Sequence, residues 1–374
     1  MFSLLMVFSS NNQTIDLYGV EFSGNRKTTI AWFEEKMEIN MSSCSRLSLQ
    51  ARPWKVRASL LLCAALSALA VPAAAQTYPT KPVRVIVPYG PGTAPDSIAR
   101  IASDGLQRRL GQSFVVETRT GAGGKIGTEA AALAAPDGYT LFLGTKDSQS
   151  ILAHLYPTWN IKPDRSLVPI SGLARIENVL VTRSAFPANS LQDMVALAKT
   201  KELTYGTPGV GTNLHLMGEL LRSRQGLKLL HVPYSRSFAE ALPAVVRGDV
   251  DLLVAGLPPM LPFLQDGRAK ALAITGTARS RYLPDVPTFS ELGIKDLETG
   301  GWFGFFAPAG TPAAILSKLE AELALVVKSP EFRSRMETMS AEPWPATPAD
   351  VSRTIEAETR RWGALIQESR ITVN

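Results

Sequence analysis

The chain holds 374 residues, enough for two domains of ordinary size, with 39 Lys plus Arg against 33 Asp plus Glu and a formal charge of +6. Apolar residues make up 45% and charged residues 19%, the balance of a packed globular protein, which excludes disorder as the main state. Three histidines (His154, His215, His231) and two cysteines (Cys44, Cys63) are too few for a zinc or iron–sulfur centre. The mild positive charge lacks the Lys/Arg clusters of a nucleic-acid footprint. No metal, cofactor or nucleic-acid partner is expected.

Residues 52–75 read RPWKVRASLLLCAALSALAVPAAA: three cations, an apolar run from Ala58 to Val71, Pro72, then three alanines before Gln76. This is the pattern of a secretory signal peptide cleaved near Ala75 and Gln76. A membrane anchor is the alternative, but the apolar run extends only about 21 Å as a helix against roughly 30 Å of hydrocarbon. Translation is expected to start at Met41, making 1–40 an extension without fold content and 41–75 the signal. Cleavage removes both cysteines, so no disulfide is available and stability must come from burial.

From Lys81 onward strand and helix alternate. PVRVIVPY alternates and is rich in β-branched residues, PDSIARIASDGLQRRL has helical period, and FVVETR is again strand-like. A helical IGTEAAALAA, a strand YTLFLGT, a short helix over 148–155 and a strand NVLVTRS follow. A second block has a helix over 190–199 with Ser190 as N-cap, the strand LTYG, a helix over 213–224 and the strand KLLHVPY. It continues with a helix over 238–247 and the strands VDLLVAG and AKALAITG. GGWFGFFAPAGTP then reads as an apolar strand before helices near 312–327, 331–339 and 348–368. The class is α/β, with mostly parallel sheets covered by helices on both faces.

Four turns sit at carboxyl ends of strands: 88–96, 144–147, 206–213 and 232–237. In open α/β sheets that edge is where ligands bind, because amide groups at the following helix N-termini favour anions. Four such turns in two blocks point to a bi-lobed cleft. GAGGKIG at 121–127 is neither a dinucleotide fingerprint, having Ile126 in place of the third glycine, nor a P-loop, having no Ser or Thr after Lys125. GxSxG is absent, and Asp147, Ser148 and His154 lie too close in sequence to make a triad. His231, inside an apolar strand, is expected to be a core histidine bonded to a neighbouring turn.

YPTKPVRVIVPYGPG with Asp96, TGAGGKIGTEAAALAAPDGYTLFLGT, YGTPGVGTNLHL, HVPYSRS, DVPTFSELG and WFGFFAPAGTP, in that order over about 80–365, resemble the substrate-binding receptors of tripartite tricarboxylate transporters, the Bug-type family. The resemblance implies a periplasmic-binding-protein fold of the Venus-flytrap, type II-like kind, two α/β lobes joined by two crossing strands. Lobe 1 would be discontinuous, 76–178 plus 303–374, and lobe 2 would be 179–302, with hinge crossings near Asn178–Thr182 and Trp302–Phe306.

It also implies a ligand carboxylate held mainly by main-chain groups and water from loops 89–96 and 144–147, with loop 207–213 and the HVPY turn closing on it. In this chain Tyr89 would form a flat wall, and the backbone of Gly90, Pro91, Gly92 and Thr93, with Thr145, would meet the carboxylate. Thr207, Gly209, Gly211, Thr212 and Tyr234 would meet the far end, while Asp96 would cap the first helix. Three departures from the family pattern bear on the ligand: Tyr89, Gly90 and Thr93 replace Phe, Pro and Gly, Lys146 stands where a small polar residue is usual, and Ser235-Arg236 replaces Lys-Gly. Lys146 and Arg236, one cation from each lobe, would suit a dianion. The expected function is a monomeric, non-catalytic periplasmic receptor that captures a small organic carboxylate and delivers it to membrane transporter subunits. A sensor subunit for a signalling partner and, against the missing nucleophile motifs, a periplasmic enzyme are the alternatives.

Overall fold

The computed structural model of the chain describes residues 3–7, 16–20, 78–234, 238–298 and 300–372. The expected signal segment, Met41, both cysteines and Arg236 lie outside the described residues. The chain divides into two compact units, 1–75 and 76–374. In the first, β1 (Ser3–Val7) pairs antiparallel with β2 (Asp16–Val20), Ser3 opposite Val20.

The second unit carries two sheets. Its first βα unit is β3 (Val83–Val87) followed by α1 (Ala94–Leu110). Alternation in Val83-Arg-Val-Ile-Val sends Val83, Val85 and Val87 to one apolar layer and Ile86 to the other. Ile98, Ala99, Ala102 and Leu106, at helical spacing, bury the inner face of α1 in the same layer as Val83. Gly111 ends the helix in the left-handed region, φ 72°, its N–H donating to Gln107 O. β4 (Phe114–Thr118), α2 (Lys125–Ala132), β5 (Thr140–Thr145) and β6 (Leu167–Ile176) follow.

The chain then passes through Glu177 into the second sheet: β7 (Asn178–Arg183), α3 (Leu191–Thr200), β8 (Leu203–Thr207), α4 (Asn213–Gln225) and β9 (Leu229–Pro233). Ser190 caps α3 with a reciprocal Asp193 bond, as the Ser-x-x-Asp spacing predicts. α5 (Phe238–Arg247), β10 (Leu252–Gly256), α6 (Leu257–Gln265) and β11 (Ala269–Ile274) complete it. The chain returns at Gly300 to β12 (Gly301–Pro308), then α7 (Ala313–Lys328), α8 (Pro330–Thr338), β13 (Ala341–Pro343) and α9 (Pro348–Glu368).

The first sheet has strand order β13-β6-β12-β5-β3-β4 and the second β11-β7-β10-β8-β9. Among the named strands, the parallel pairs are β3 with β4 and β5, and β8 with β9 and β10. The expectation of mostly parallel sheets is therefore corrected: β6, β7 and β12, which carry the chain between the sheets, pair antiparallel with their neighbours. β7 and β12 enter their sheets from the carboxyl edge and so run against the βα strands beside them, whereas β6, which leaves by that edge, runs in the sense of β3 and β5 and is antiparallel to β12 and β13.

The two passages lie side by side. Gly301 is opposite Ile176 in the β12–β6 register, and a Cβ on Gly300 would fall 1.9 Å from Ile176 O, so only glycine fits there. All eight residues of β12 are buried, Phe303 and Phe305 facing the layer under α1 and Trp302 and Phe306 the layer under α9. α9 belongs to two cores: Val351 and Ile355 pack with Phe142 and Phe306 of the first sheet, while Trp362, Leu365 and Ile366 pack with Leu180, Leu252 and Val254 of the second.

Candidate functional site

A cavity of about 70 Å³ opens where the carboxyl ends of β3, β5 and β8 face the two passages. Tyr89, Thr93, Thr145, Lys146 and Asp147 line it from the first sheet, Pro208, Thr212 and Asn213 from the second, and Ile176, Asn178, Gly301, Trp302 and Phe303 at the passages. Its wall is largely apolar. Of the residues singled out in the sequence, Tyr89, Thr93, Thr145, Lys146 and Thr212 meet at this cavity; Gly90, Pro91, Gly92, Asp96, Thr207, Gly209, Gly211 and Tyr234 do not line it. Arg236 lies outside the described residues.

Those that stand back build the loops. Thr93, not Asp96, is the N-cap residue of α1, and Asp96 sits in the first turn. There it accepts from Gly92 N–H (3.3 Å) and from Arg100 Nε (3.1 Å), while Thr93 Oγ1 donates to Gly90 O (2.7 Å). Asp96 therefore tightens the loop from behind. Thr145 N–H, expected to meet a ligand, donates to Ser148 Oγ at 2.9 Å.

In the second sheet Thr212 caps α4, accepting from His215 N–H and donating to Gly209 O (2.8 Å). Gly211 N–H donates to His215 Nδ1, and Thr207 Oγ1 is 2.6 Å from His231 Nε2. The His215 and His231 rings lie 4.2 Å apart. Burial and the neighbouring His215 push His231 down to about 4, and burial also lowers His215. Tyr234 N–H donates to Thr207 O, and its ring packs beside Gly206.

Lys146 has a partner that the sequence did not suggest. Its side chain is fully buried, with Nζ 3.9 Å from Glu358 Oε1 and 5.8 Å from the centroid of the Trp362 ring. Trp362 Nε1 donates to the other Glu358 oxygen at 2.7 Å. Burial lowers the Lys146 pKa to about 8, with Glu358 opposing the shift. The ammonium is thus engaged by Glu358 of α9, while Lys146 also lines the cavity.

The residue beside it, passed over in the sequence as part of a chance cluster, is central. Asp147 is 3% exposed. Its Oδ2 accepts from Tyr89 OH (2.5 Å), and its Oδ1 accepts from Asn213 N–H (3.0 Å) and Asn213 Nδ2 (2.7 Å). Asn178 Nδ2 donates in turn to Asn213 Oδ1 at 3.0 Å. The first turn of α4, the carboxyl end of β5 and the Glu177 passage are thus tied by one chain of hydrogen bonds. Burial raises the Asp147 pKa, against the lowering effect of its Tyr89 and Asn213 bonds, and burial with Asp147 alongside raises that of Tyr89. Asn213 and Asn178 were also missed as site residues. The available signal was position, since Asp147 and Asn213 are the last residues of strand-end turns already marked.

Gly123, in the glycine run that failed as a phosphate motif, has φ 65°, and a Cβ there would fall 2.8 Å from Val210 O. Loops 121–124 and 209–211 touch at this point. Among the described residues no group of three or more His, Cys, Asp or Glu is placed to hold a metal, and no helix is long and apolar enough to cross a membrane.

The Tripartite tricarboxylate transporter family receptor profile matches residues 98–371. A UPF0065 protein of Bordetella pertussis is 36% identical over 306 residues, 81% of this chain and 94% of its own. Among solved structures, Rpa4515 of R. palustris with adipate is 32% identical with TM-score 0.75, covering 79% of this chain and 99% of its own. The periplasmic binding protein BugD is 31% identical with TM-score 0.74 over the same shares. Matched along both sheets in sequence and in fold, the chain belongs to the tripartite tricarboxylate transporter receptor family, of the Bug type.

Proposed function

We propose that the protein is a periplasmic receptor that encloses a small carboxylate-bearing molecule between two lobes and delivers it to membrane transporter subunits. The observation that carries this is the cavity at the strand carboxyl ends of both sheets, bridged by Asp147 and Asn213 and flanked by the two passages at Glu177 and Gly300. Binding between lobes on two short connections is the arrangement in which closure costs little internal rearrangement. The adipate seen in Rpa4515 and the periplasmic setting of BugD support the ligand class and the compartment.

The lobes we assign are 76–178 with 303–374, and 179–302; α9 spans both, ending in the core of the second sheet. Export by cleavage near Ala75 and a monomeric receptor belong to the same reading. Thermal-shift and calorimetric titration with a panel of mono-, di- and tricarboxylates tests it. At 100 times its dissociation constant a true ligand adds about 2.7 kcal/mol of stability and is recovered chemically unchanged. A panel with no stabilising member, or a ligand turned over during titration, overturns the receptor.

A further inference from the structure

Loop 207–212 joins β8 to α4 and meets the cleft: Pro208 and Thr212 line the cavity, and Val210 O lies at the contact with Gly123 of the first sheet. Its own anchors are two histidines. Thr207 Oγ1 is 2.6 Å from His231 Nε2 and accepts from Gly209 N–H at 3.2 Å. Thr212 Oγ1 donates to Gly209 O and accepts from His215 N–H, and Gly211 N–H donates to His215 Nδ1 at 3.3 Å.

The last of these bonds depends on protonation. A main-chain N–H can only donate, so His215 Nδ1 offers its lone pair to Gly211 and the ring is neutral with its proton on Nε2. An imidazolium donates from both nitrogens. A proton on Nδ1 would set two N–H groups against each other, and Gly211 has no side chain to replace the lost anchor. Thr207 Oγ1, a hydroxyl, can turn to suit either state of His231, so the conflict falls on His215 alone.

Among the described residues, the ionisable groups around the His215 ring come from three elements. His231 of β9 stacks on it at 4.2 Å, and Glu219 and Arg222 follow it along α4. Tyr205 of β8 lies 4.9 Å from the His231 ring and donates to Glu219 Oε1. Asp147, with Lys146 beside it in the chain, is bonded to Asn213 at the start of α4. Burial and Arg222 disfavour a proton on His215 and Glu219 favours it; the balance places its titration below the ordinary histidine value of about 6.5.

We propose that His215 is a positioning residue for ligand capture: its neutral ring holds loop 207–212 in the form that meets the first sheet, and protonation at Nδ1 releases Gly211 and slackens the loop. This rests on the receptor reading above and adds to it a condition under which the cleft lets go.

Amide hydrogen exchange, corrected for its intrinsic pH dependence, tests the loop at about pH 7.5 and about pH 4.5, either side of the ordinary histidine value. The variant His215→Asn offers Oδ1 in place of Nδ1 at any pH, and His215→Leu offers no acceptor. In wild type, protection over 207–212 is expected to fall at least tenfold at the lower pH while β10 keeps its own; in His215→Asn the fall is under threefold, and in His215→Leu protection is low at both. Calorimetric titration with adipate, succinate and citrate at the same two pH values reads capture. Protonation of these acids, and of Asp147, weighs on wild type and His215→Asn alike, so the ratio of their affinities isolates the histidine. Any of the three acids bound at the higher pH is expected to lose at least fivefold more affinity in wild type than in His215→Asn. Unchanged loop protection in wild type, a fall shared by β10, or equal losses in the two proteins overturns the proposal. Should His215→Asn fail to fold, wild-type loop protection against pH decides. Binding of none of the three acids strikes the receptor reading instead, and the exchange measurement alone then decides the role of His215.

Discussion

Lys146 and Glu358 form a buried pair whose value lies in each partner's presence. Removing one leaves the other charge uncompensated away from water, which typically costs about 3–5 kcal/mol, whereas replacing both by neutral groups of similar shape is often neutral. Lys146→Ala is therefore expected to lower stability by about 3 kcal/mol in denaturant titration, with the loss visible in the absence of any ligand. Lys146→Met combined with Glu358→Gln, which keeps an acceptor for Trp362 Nε1, should return to within about 1 kcal/mol of wild type. A Lys146→Ala protein as stable as wild type would place the ammonium outside the Glu358 contact.

The stacked His215 and His231 rings give an acid-sensitive spot of known sign. The folded state holds His231 near 4, below the ordinary histidine value of about 6.5, so the unfolded chain binds the proton more readily in that window. Stability is present in full above about pH 6.5 and is lost as pH falls toward 4. The loss from His231 is at most about 3 kcal/mol, reduced by its partial exposure. Melting temperature against pH should fall across this interval in wild type and less steeply in His231→Gln. His215 keeps part of the slope, being lowered by burial beside the same ring, and Glu219 opposes the shift of both.

At the scale of the element, helix propensity and packing disagree at Gly218. In an exposed helix interior Gly→Ala gains about 1 kcal/mol. Gly218 lies inside α4, and its Cβ would fall 2.2 Å from Cε2 of the Tyr205 ring, which is 1% exposed and pinned by its hydroxyl to Glu219 Oε1 at 2.6 Å. Overpacking costs of about 1–3 kcal/mol outweigh propensity here. Gly218→Ala is expected to destabilise by that amount, and the sign should reverse when Tyr205→Leu makes room. A stabilising Gly218→Ala in the wild-type background would show that the ring can move freely. The same close fit explains why α4 could be placed from sequence by its period while its glycine could not be explained there.

For the whole molecule, loop 121–124 lies against loop 209–211 with Gly123 at the contact, and the proposed closure would need the two loops to meet there. An alanine methyl at Gly123 would collide with Val210 O, which is backbone and cannot swing aside. Gly123→Ala is expected to weaken ligand binding at least tenfold and to leave the ligand-saturated protein with the larger scattering radius of the open form. Gly111→Ala, with a similar positive φ and nothing within 4 Å of the added methyl, carries the backbone strain alone and should bind as wild type does. Equal affinity in the two variants would mean that the loops need not touch for the site to form. Because α9 contributes Ile355 to one core and Trp362 to the other, the proposed closure would have to be accommodated along this helix.

Local pattern was enough to read the α/β alternation, the strand-end turns and the order of family motifs, because each depends on a period or spacing within a short stretch. VRVIV, the α1 stripe and the Ser190 cap are of this kind. The antiparallel runs of β6, β7 and β12 were not legible, since direction depends on where the chain crosses between sheets. Five residues at the cavity were marked in advance with roles, but the partners that Thr145 N–H finds in Ser148 and Lys146 finds in Glu358 were not. Lys146 looked like a cleft cation because nothing near it in sequence revealed Glu358, more than two hundred residues away, and Asp147 looked incidental because its partners are Tyr89 and Asn213. Which strands and turns form is set by neighbours along the chain. The charge a ligand meets is set by side chains brought together from distant elements, whose burial and pairing exist only once the two sheets have folded against each other.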